Sequence, residues 1–116
     1  MSTTDTASCI FCRIARGDMP AQVVHEEDDL LAFRDVEPKA PTHILIVPRA
    51  HVESLEALDD VGLGGRLLQA ARAVAREEDL DRGWRVVTNV GPEGGQSVPH
   101  LHLHLLGGRI LHWPPG

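Results

Sequence analysis

Residues 99–105, Pro-His-Leu-His-Leu-His-Leu, constrain this chain more than any other stretch. Side chains of an extended strand alternate between faces, so His100, His102 and His104 share one face and Leu101, Leu103 and Leu105 the other. The leucines mark a strand of the core. The opposite face carries imidazoles, where a merely solvated face would accept any polar residue. A lone histidine reads best as a satisfied surface or core residue, whereas an alternating trio points to chemistry. Strand rise sets neighbouring members about 6.8 Å apart and the outer pair about 13 Å apart. His100 and His104 can therefore hardly share one tetrahedral ion with metal–nitrogen bonds of about 2.0–2.1 Å. The trio must divide its labour, with one member a nucleophile or acid/base while another binds a metal or orients its neighbour.

Around this strand the chain reads as one small α+β domain. At 116 residues and a net charge of −6, it can bury a core without disulfides and offers no positive field for nucleic acid or an anionic membrane. Residues 1–8 are expected to be a flexible tail without the apolar stretch of a secretory signal, and 9–116 the domain. A short helix is predicted over Cys9 to Arg16, strands over Val23 to His25, Leu30 to Arg34 and His43 to Val47, and a loop over Asp35 to Pro41. Leu63, Leu67, Leu68, Ala71, Val74 and Ala75 recur at helical spacing and predict an amphipathic helix over Leu63 to Glu78. Strands are expected again over Trp84 to Val90 and Val98 to Leu106. Short turns join most of them, so an antiparallel sheet with one long and one short helix is expected. With no export signal, the cytoplasm is the expected location, and its reducing milieu favours thiols or metal ligands over a disulfide.

The glycine-rich loop from Gly91 to Ser97 can offer unobstructed backbone amides to phosphate oxygens, although a plain hairpin turn would look the same. It lacks the Lys-Ser/Thr of a Walker loop. Beside the histidine strand it supplies a phosphate seat and a hydroxyl at Ser97. Gly94-Gly95-Gln96-Ser97-Val98-Pro99 followed by His100-Leu101-His102-Leu103-His104-Leu105 resembles the signature of the histidine triad (HIT) superfamily. Gly107-Gly108-Arg109 through Trp113-Pro114-Pro115-Gly116 resembles the end of its nucleotide-binding branch. Cys9-Ile10-Phe11-Cys12, Phe33-Arg34-Asp35-Val36 and Thr42 to Pro48 are similar as well.

The resemblance implies a homodimeric enzyme of the HIT fold that hydrolyses purine nucleoside phosphoramidates to a nucleoside monophosphate and an amine. It implies His102 as the nucleophile, Ser97 as a helper in protonating the amine, and His104 as a phosphate contact. The loop positions Gly95, Gln96 and Ser97 match further phosphate contacts, as does Asn89. Asp35 matches the acceptor of the ribose hydroxyls, with Val36 beside it, although a loop cap would serve as well. Ile10, Phe11, Ile14 and Phe33 resemble the wall around the base, with plain core as the alternative for the two phenylalanines. His43 matches a nearby supporting histidine.

Cys9 and Cys12 can be buried small hydrophobes, a redox pair or metal ligands. Structural zinc takes four Cys/His ligands. His51 and His100 complete such a set, and the resemblance supports this zinc site as structural. Three rivals to the phosphoramidase remain: a nucleotide-binding or interaction module with vestigial catalysis, a hydrolase with catalytic metal on the histidines, and a dinucleoside polyphosphate hydrolase. The Trp113-Pro114-Pro115 ending speaks against the last.

Overall fold

The computed structural model describes residues 6–116; most of the expected tail lies outside them. The elements run α1 (Ile10–Ala15), β1 (Val23–Glu26), β2 (Leu30–Arg34), β3 (Thr42–Pro48), a 3-10 turn (Leu55–Ala57), α2 (Val61–Glu77), β4 (Trp84–Val87) and β5 (Leu103–Gly107). The strands form one five-stranded sheet in the order β1-β2-β3-β5-β4, with every pairing antiparallel. This is the α+β fold that the sequence predicts. No helix is long and apolar enough to cross a membrane among the described residues.

The alternation in β3 and β5 decides which face is which. Ile44, Ile46, Leu101, Leu103 and Leu105 pack with Leu63, Leu67, Val74 and Ala75 of α2, forming the main core. On the other face, Leu45 and Val47 join Leu31 and Phe33 under Cys9, Phe11 and Cys12 of the α1 segment. That second face also carries the histidines. Glu78, at the end of α2, receives both terminal nitrogens of Arg34 at 2.9 Å and so ties the helix to β2.

Two strand expectations need correction. The strand expected over Val98 to Leu106 starts only at Leu103. Pro99 has no N–H to give a ladder, the His100 amide turns back to the Val98 carbonyl at 2.8 Å, and the Leu101 amide reaches Val52 O at 2.6 Å. His100 therefore lies outside the ladder. Likewise β4 stops at Val87 rather than Val90, because Thr88 turns its hydroxyl to the His102 carbonyl at 2.9 Å. The long helix begins two residues earlier than its periodicity predicts, at Val61, where the Asp60 carboxylate caps the Leu63 amide at 3.0 Å.

Candidate active site and metal centre

Each of the three histidines has one ring nitrogen fixed by a partner inside the protein, and that partner decides what the other nitrogen can do. His102 lies 2.7 Å from the His100 carbonyl through Nδ1. A carbonyl only accepts, so Nδ1 carries the proton and Nε2 keeps its lone pair. The Phe11 ring stands edge-on to the His102 ring with centroids 5.0 Å apart, which packs this buried imidazole into one orientation. In the neutral ring the free lone pair is therefore on Nε2, where it can act as a nucleophile.

His104 is set the opposite way by a relay. The Lys39 amide donates to His43 Nδ1 at 3.0 Å, so a neutral His43 carries its proton on Nε2. That N–H meets His104 Nδ1 at 2.9 Å. His104 therefore accepts on Nδ1 and presents Nε2–H. Both rings are kept neutral by burial: it lowers the His43 pKa, and with the nearby His102 and His43 it brings His104 down to about 4. Asp35 Oδ2 lies 3.4 Å from His43 Nε2, a second acceptor beside the relay.

His100 is fully buried and stands edge-on to the same Phe11 ring, with centroids 5.8 Å apart. Its Nε2 donates to the Pro48 carbonyl at 2.9 Å, leaving the Nδ1 lone pair directed at two sulfurs. Cys9 Sγ is 3.3 Å and Cys12 Sγ 3.5 Å from it, and His51 Nδ1 is 3.2 Å from Cys12 Sγ. All four donor atoms lie within 4.8 Å of one another. Tetrahedral zinc with ordinary Zn–S and Zn–N bonds needs S···N edges of about 3.6 Å, so the cluster fits the ion with little movement. Burial first, and then the Cys9 sulfur, push the metal-free Cys12 thiol up to about 11. A thiolate at that position needs a cation beside it. His100 is drawn down to about 4, chiefly by burial, and stays a neutral donor.

The other expected site residues surround this arrangement. Asp35 and Val36 follow β2, and Val36 is 92% exposed. Asn89 comes just after Thr88, whose hydroxyl pins the His102 carbonyl. The loop over 91–97 is a tight turn in which a Cβ at Gly94 would collide with the Val90 carbonyl and Gly95 has φ +84°. Here the Gly95 amide donates to Pro92 O at 3.2 Å and that of Gln96 to Gly91 O at 3.1 Å. The Gln96 side chain clasps the turn through Gly91 N, Glu53 O and Val98 O. Ser97 is the exposed end of the loop. Phe11 and Phe33 are buried, with ring centroids 5.5 Å apart, whereas Ile10 is 42% exposed. Sequence reasoning missed Thr88, the Lys39 amide and the Pro48 carbonyl. The last two act through backbone atoms, which no residue type announces.

A family model described as HIT domain matches residues 16–111. A 14 kDa zinc-binding protein of Zea mays is 47% identical over 116 residues, covering 97% of this chain and 91% of that protein. A protein of Arabidopsis thaliana named adenylylsulfatase HINT1 is 43% identical over 119 residues, covering 99% of this chain and 81% of its own length. Among solved structures, a HIT family hydrolase from Legionella pneumophila Philadelphia 1 superposes with a TM-score of 0.91 at 48% identity, covering 94% of this chain and all of that one. With this fold, this histidine arrangement and these relatives, the chain belongs to the HIT domain family.

Proposed function

We propose that the protein hydrolyses purine nucleoside phosphoramidates, cleaving adenosine 5′-phosphoramidate to AMP and its amine through a nucleotidyl-histidine on His102. One observation carries this reading. The neighbouring rings of His102 and His104, with centroids 4.9 Å apart, have opposite polarity at Nε2: a lone pair on the first and an N–H on the second. A phosphoryl group between them meets a nucleophile and a donor to its oxygens. His102 Nε2 bonds to phosphorus and the phosphorus–nitrogen bond breaks. The ring becomes cationic, and its Nδ1–H bond to the buried His100 carbonyl offsets that charge. The departing amine must gain a proton, which Ser97 delivers. Water then attacks the phosphorus, gives up a proton that replaces the one Ser97 delivered, releases the monophosphate and restores neutral His102.

The remaining roles are those that the family resemblance implies for these positions. His104 and Ser97 contact the phosphate directly, in a seat shaped by Gly95 and Gln96, with Asn89 at its side. Asp35 accepts from the ribose hydroxyls next to Val36. Ile10 and Ile14 form the accessible wall for the base, with Phe11 and Phe33 packed behind them. His43 orients His104. Cys9, Cys12, His51 and His100 hold zinc, as the name of the Zea mays relative supports. Four protein ligands leave no open coordination position, so the ion's contribution is structural: it fastens α1 to the histidine segment. Residues 9–116 form one HIT domain behind a short tail, and reduced thiols of this kind suit the cytoplasm.

The protein acts as a homodimer in this reading. The edge strand β4 exposes Trp84, and Trp113 and Ile110 of the C-terminal segment are about 80% exposed. An open cavity of about 590 Å³ runs beside Trp84 and Ile110, lined also by Leu80 and Leu111 and by charged residues such as Arg85 and Arg109. Apolar surface of this kind on an unpaired edge is what a second copy covers.

The name of the Arabidopsis relative favours a second substrate, an adenylyl sulfate. The same attack on phosphorus would serve, but sulfate leaves as an anion and needs no proton. The test is therefore AMP release from both substrates by wild type, His102→Ala and Ser97→Ala, with and without brief chelation. Loss of His102 should silence both reactions, while Ser97→Ala should slow the phosphoramidate at least about tenfold and spare the sulfate. Wild type no faster than His102→Ala, while both bind AMP, would instead make the protein a nucleotide-binding module.

A further inference from the structure

His104 presents Nε2–H only while His43 donates to its other nitrogen. His43 is held in that donating form by the Lys39 amide on its Nδ1, 3.0 Å away, with the Asp35 carboxylate 3.4 Å from its Nε2 favouring the same tautomer. The Nδ1 end of the relay thus rests on one peptide in the loop between β2 and β3. No strand ladder holds Lys39, and its ammonium is turned away to the Glu37 carbonyl at 2.9 Å. What grips the residue from outside is a guanidinium. Arg109 Nη2 donates to the Lys39 carbonyl at 3.0 Å, across 70 residues of sequence. The two peptide planes of Lys39 share its Cα, so holding the carbonyl restricts how far the amide can swing off His43.

Arg109 is well placed for this. It follows Gly108 at the end of β5, the strand that carries His104. Its Nη1 is fixed in turn by the Ile110 carbonyl at 2.9 Å. Arg85, on the adjacent edge strand, holds the same segment through the Leu111 and His112 carbonyls at 3.3 and 2.9 Å. A fork that spends both arms on backbone carbonyls acts as a clamp, and a lysine in its place has no second arm.

The geometry points to Arg109 as a positioning residue: by clamping Lys39 it locks His43, and through it His104, in the Nε2–H tautomer, and so couples the C-terminal segment to the reacting centre. The catalytic part of this inference rests on the role proposed for His104. The tautomer part does not, and the experiment reads it directly.

The test is ring nitrogen NMR of 15N-histidine-labelled protein, comparing wild type with Arg109→Ala and Arg109→Lys at pH 7. In wild type, His43 and His104 should each show one protonated Nε2 and one unprotonated Nδ1. In Arg109→Ala both pairs should move towards averaged values, with Arg109→Lys in between, while the His100 and His102 signals stay in place. Turnover of adenosine 5′-phosphoramidate should drop roughly three- to tenfold in kcat with KM changed less than about twofold. Unmoved His43 and His104 signals in a folded Arg109→Ala protein overturn the proposal, whatever the turnover. Should Arg109→Ala fail to fold, the same signals in Arg109→Lys decide, and wild-type values there overturn it. Moved signals in a protein without turnover would uphold the clamp and sink the phosphoramidase reading alone.

Discussion

The neutral His43–His104 pair gives the fold a specific weakness to acid. Burial, followed by the neighbouring His102 and His43, lowers the His104 pKa from 6.5 to about 4. An unfolded chain takes up a proton there as pH drops through 6.5, whereas the folded chain resists until about 4. Stability from this group is thus full above the unfolded value and is lost as pH falls towards the folded one. Integrating the proton difference from pH 7 to pH 5 gives a loss of about 2 kcal/mol, and partial solvent access reduces it to about 1–2 kcal/mol. The assay is urea unfolding of wild type and His104→Gln at both pH values, with zinc saturating and protein concentration fixed. The glutamine carbonyl can still accept the His43 N–H, so no buried donor is orphaned. Titrating groups away from His104 are common to both proteins and cancel in the double difference, so what is read is His104 together with its coupling to His43 and His102. Wild type should lose about 1–2 kcal/mol more than the variant between pH 7 and pH 5. Equal losses would mean that His104 takes up its proton alike in the folded and unfolded chain.

Leu105 is fully buried against α2, on the face opposite the histidines. Leu105→Ala removes three carbons at about 0.8 kcal/mol each and leaves a cavity, so urea unfolding should show a cost of about 3–4 kcal/mol with zinc content intact. A cost below about 1 kcal/mol would mean that the alternation of faces has been misread. Protein purified without chelator should hold close to one zinc per chain by elemental analysis, and under about 0.2 would remove the metal reading. Prolonged chelation should lower the unfolding midpoint well before brief chelation touches turnover, since zinc binding contributes to folding. Sedimentation should find a species of twice the 12.7 kDa chain mass; a monomer alone would refute the dimer.

How much of this was legible beforehand differs residue by residue. The faces of the histidine strand were, because a period of two follows from backbone geometry alone. Its length was not: the pattern continues through His100 and Leu101, but their backbone amides go to Val98 and Val52 instead of a neighbouring strand. The long helix was legible where its residues are buried and illegible at its start. Val61 is 91% exposed, so no periodicity marks it, and the Asp60 cap sets the boundary. The cysteine–histidine cluster was legible as a set, because structural zinc needs four ligands of those types. Which nitrogen each ring offers was hidden, since backbone atoms at Pro48, His100 and Lys39 decide it.

Those backbone partners explain how one residue type fills three roles within five positions. A carbonyl facing the Nε2 of His100 leaves the Nδ1 lone pair directed at the two cysteine sulfurs. A carbonyl facing the Nδ1 of His102 leaves the lone pair on Nε2, the atom proposed to attack phosphorus. A histidine N–H facing the Nδ1 of His104 turns Nε2 into a donor. Burial keeps the first and last of these uncharged, so each of those two rings has one lone pair and one N–H to place. No other side chain could serve at all three positions, because none offers a lone pair and an N–H on opposite edges of one rigid ring. The identity of the residues is thus repeated along the strand, while their chemistry is assigned from outside it, by whichever neighbour meets the inner nitrogen of each ring.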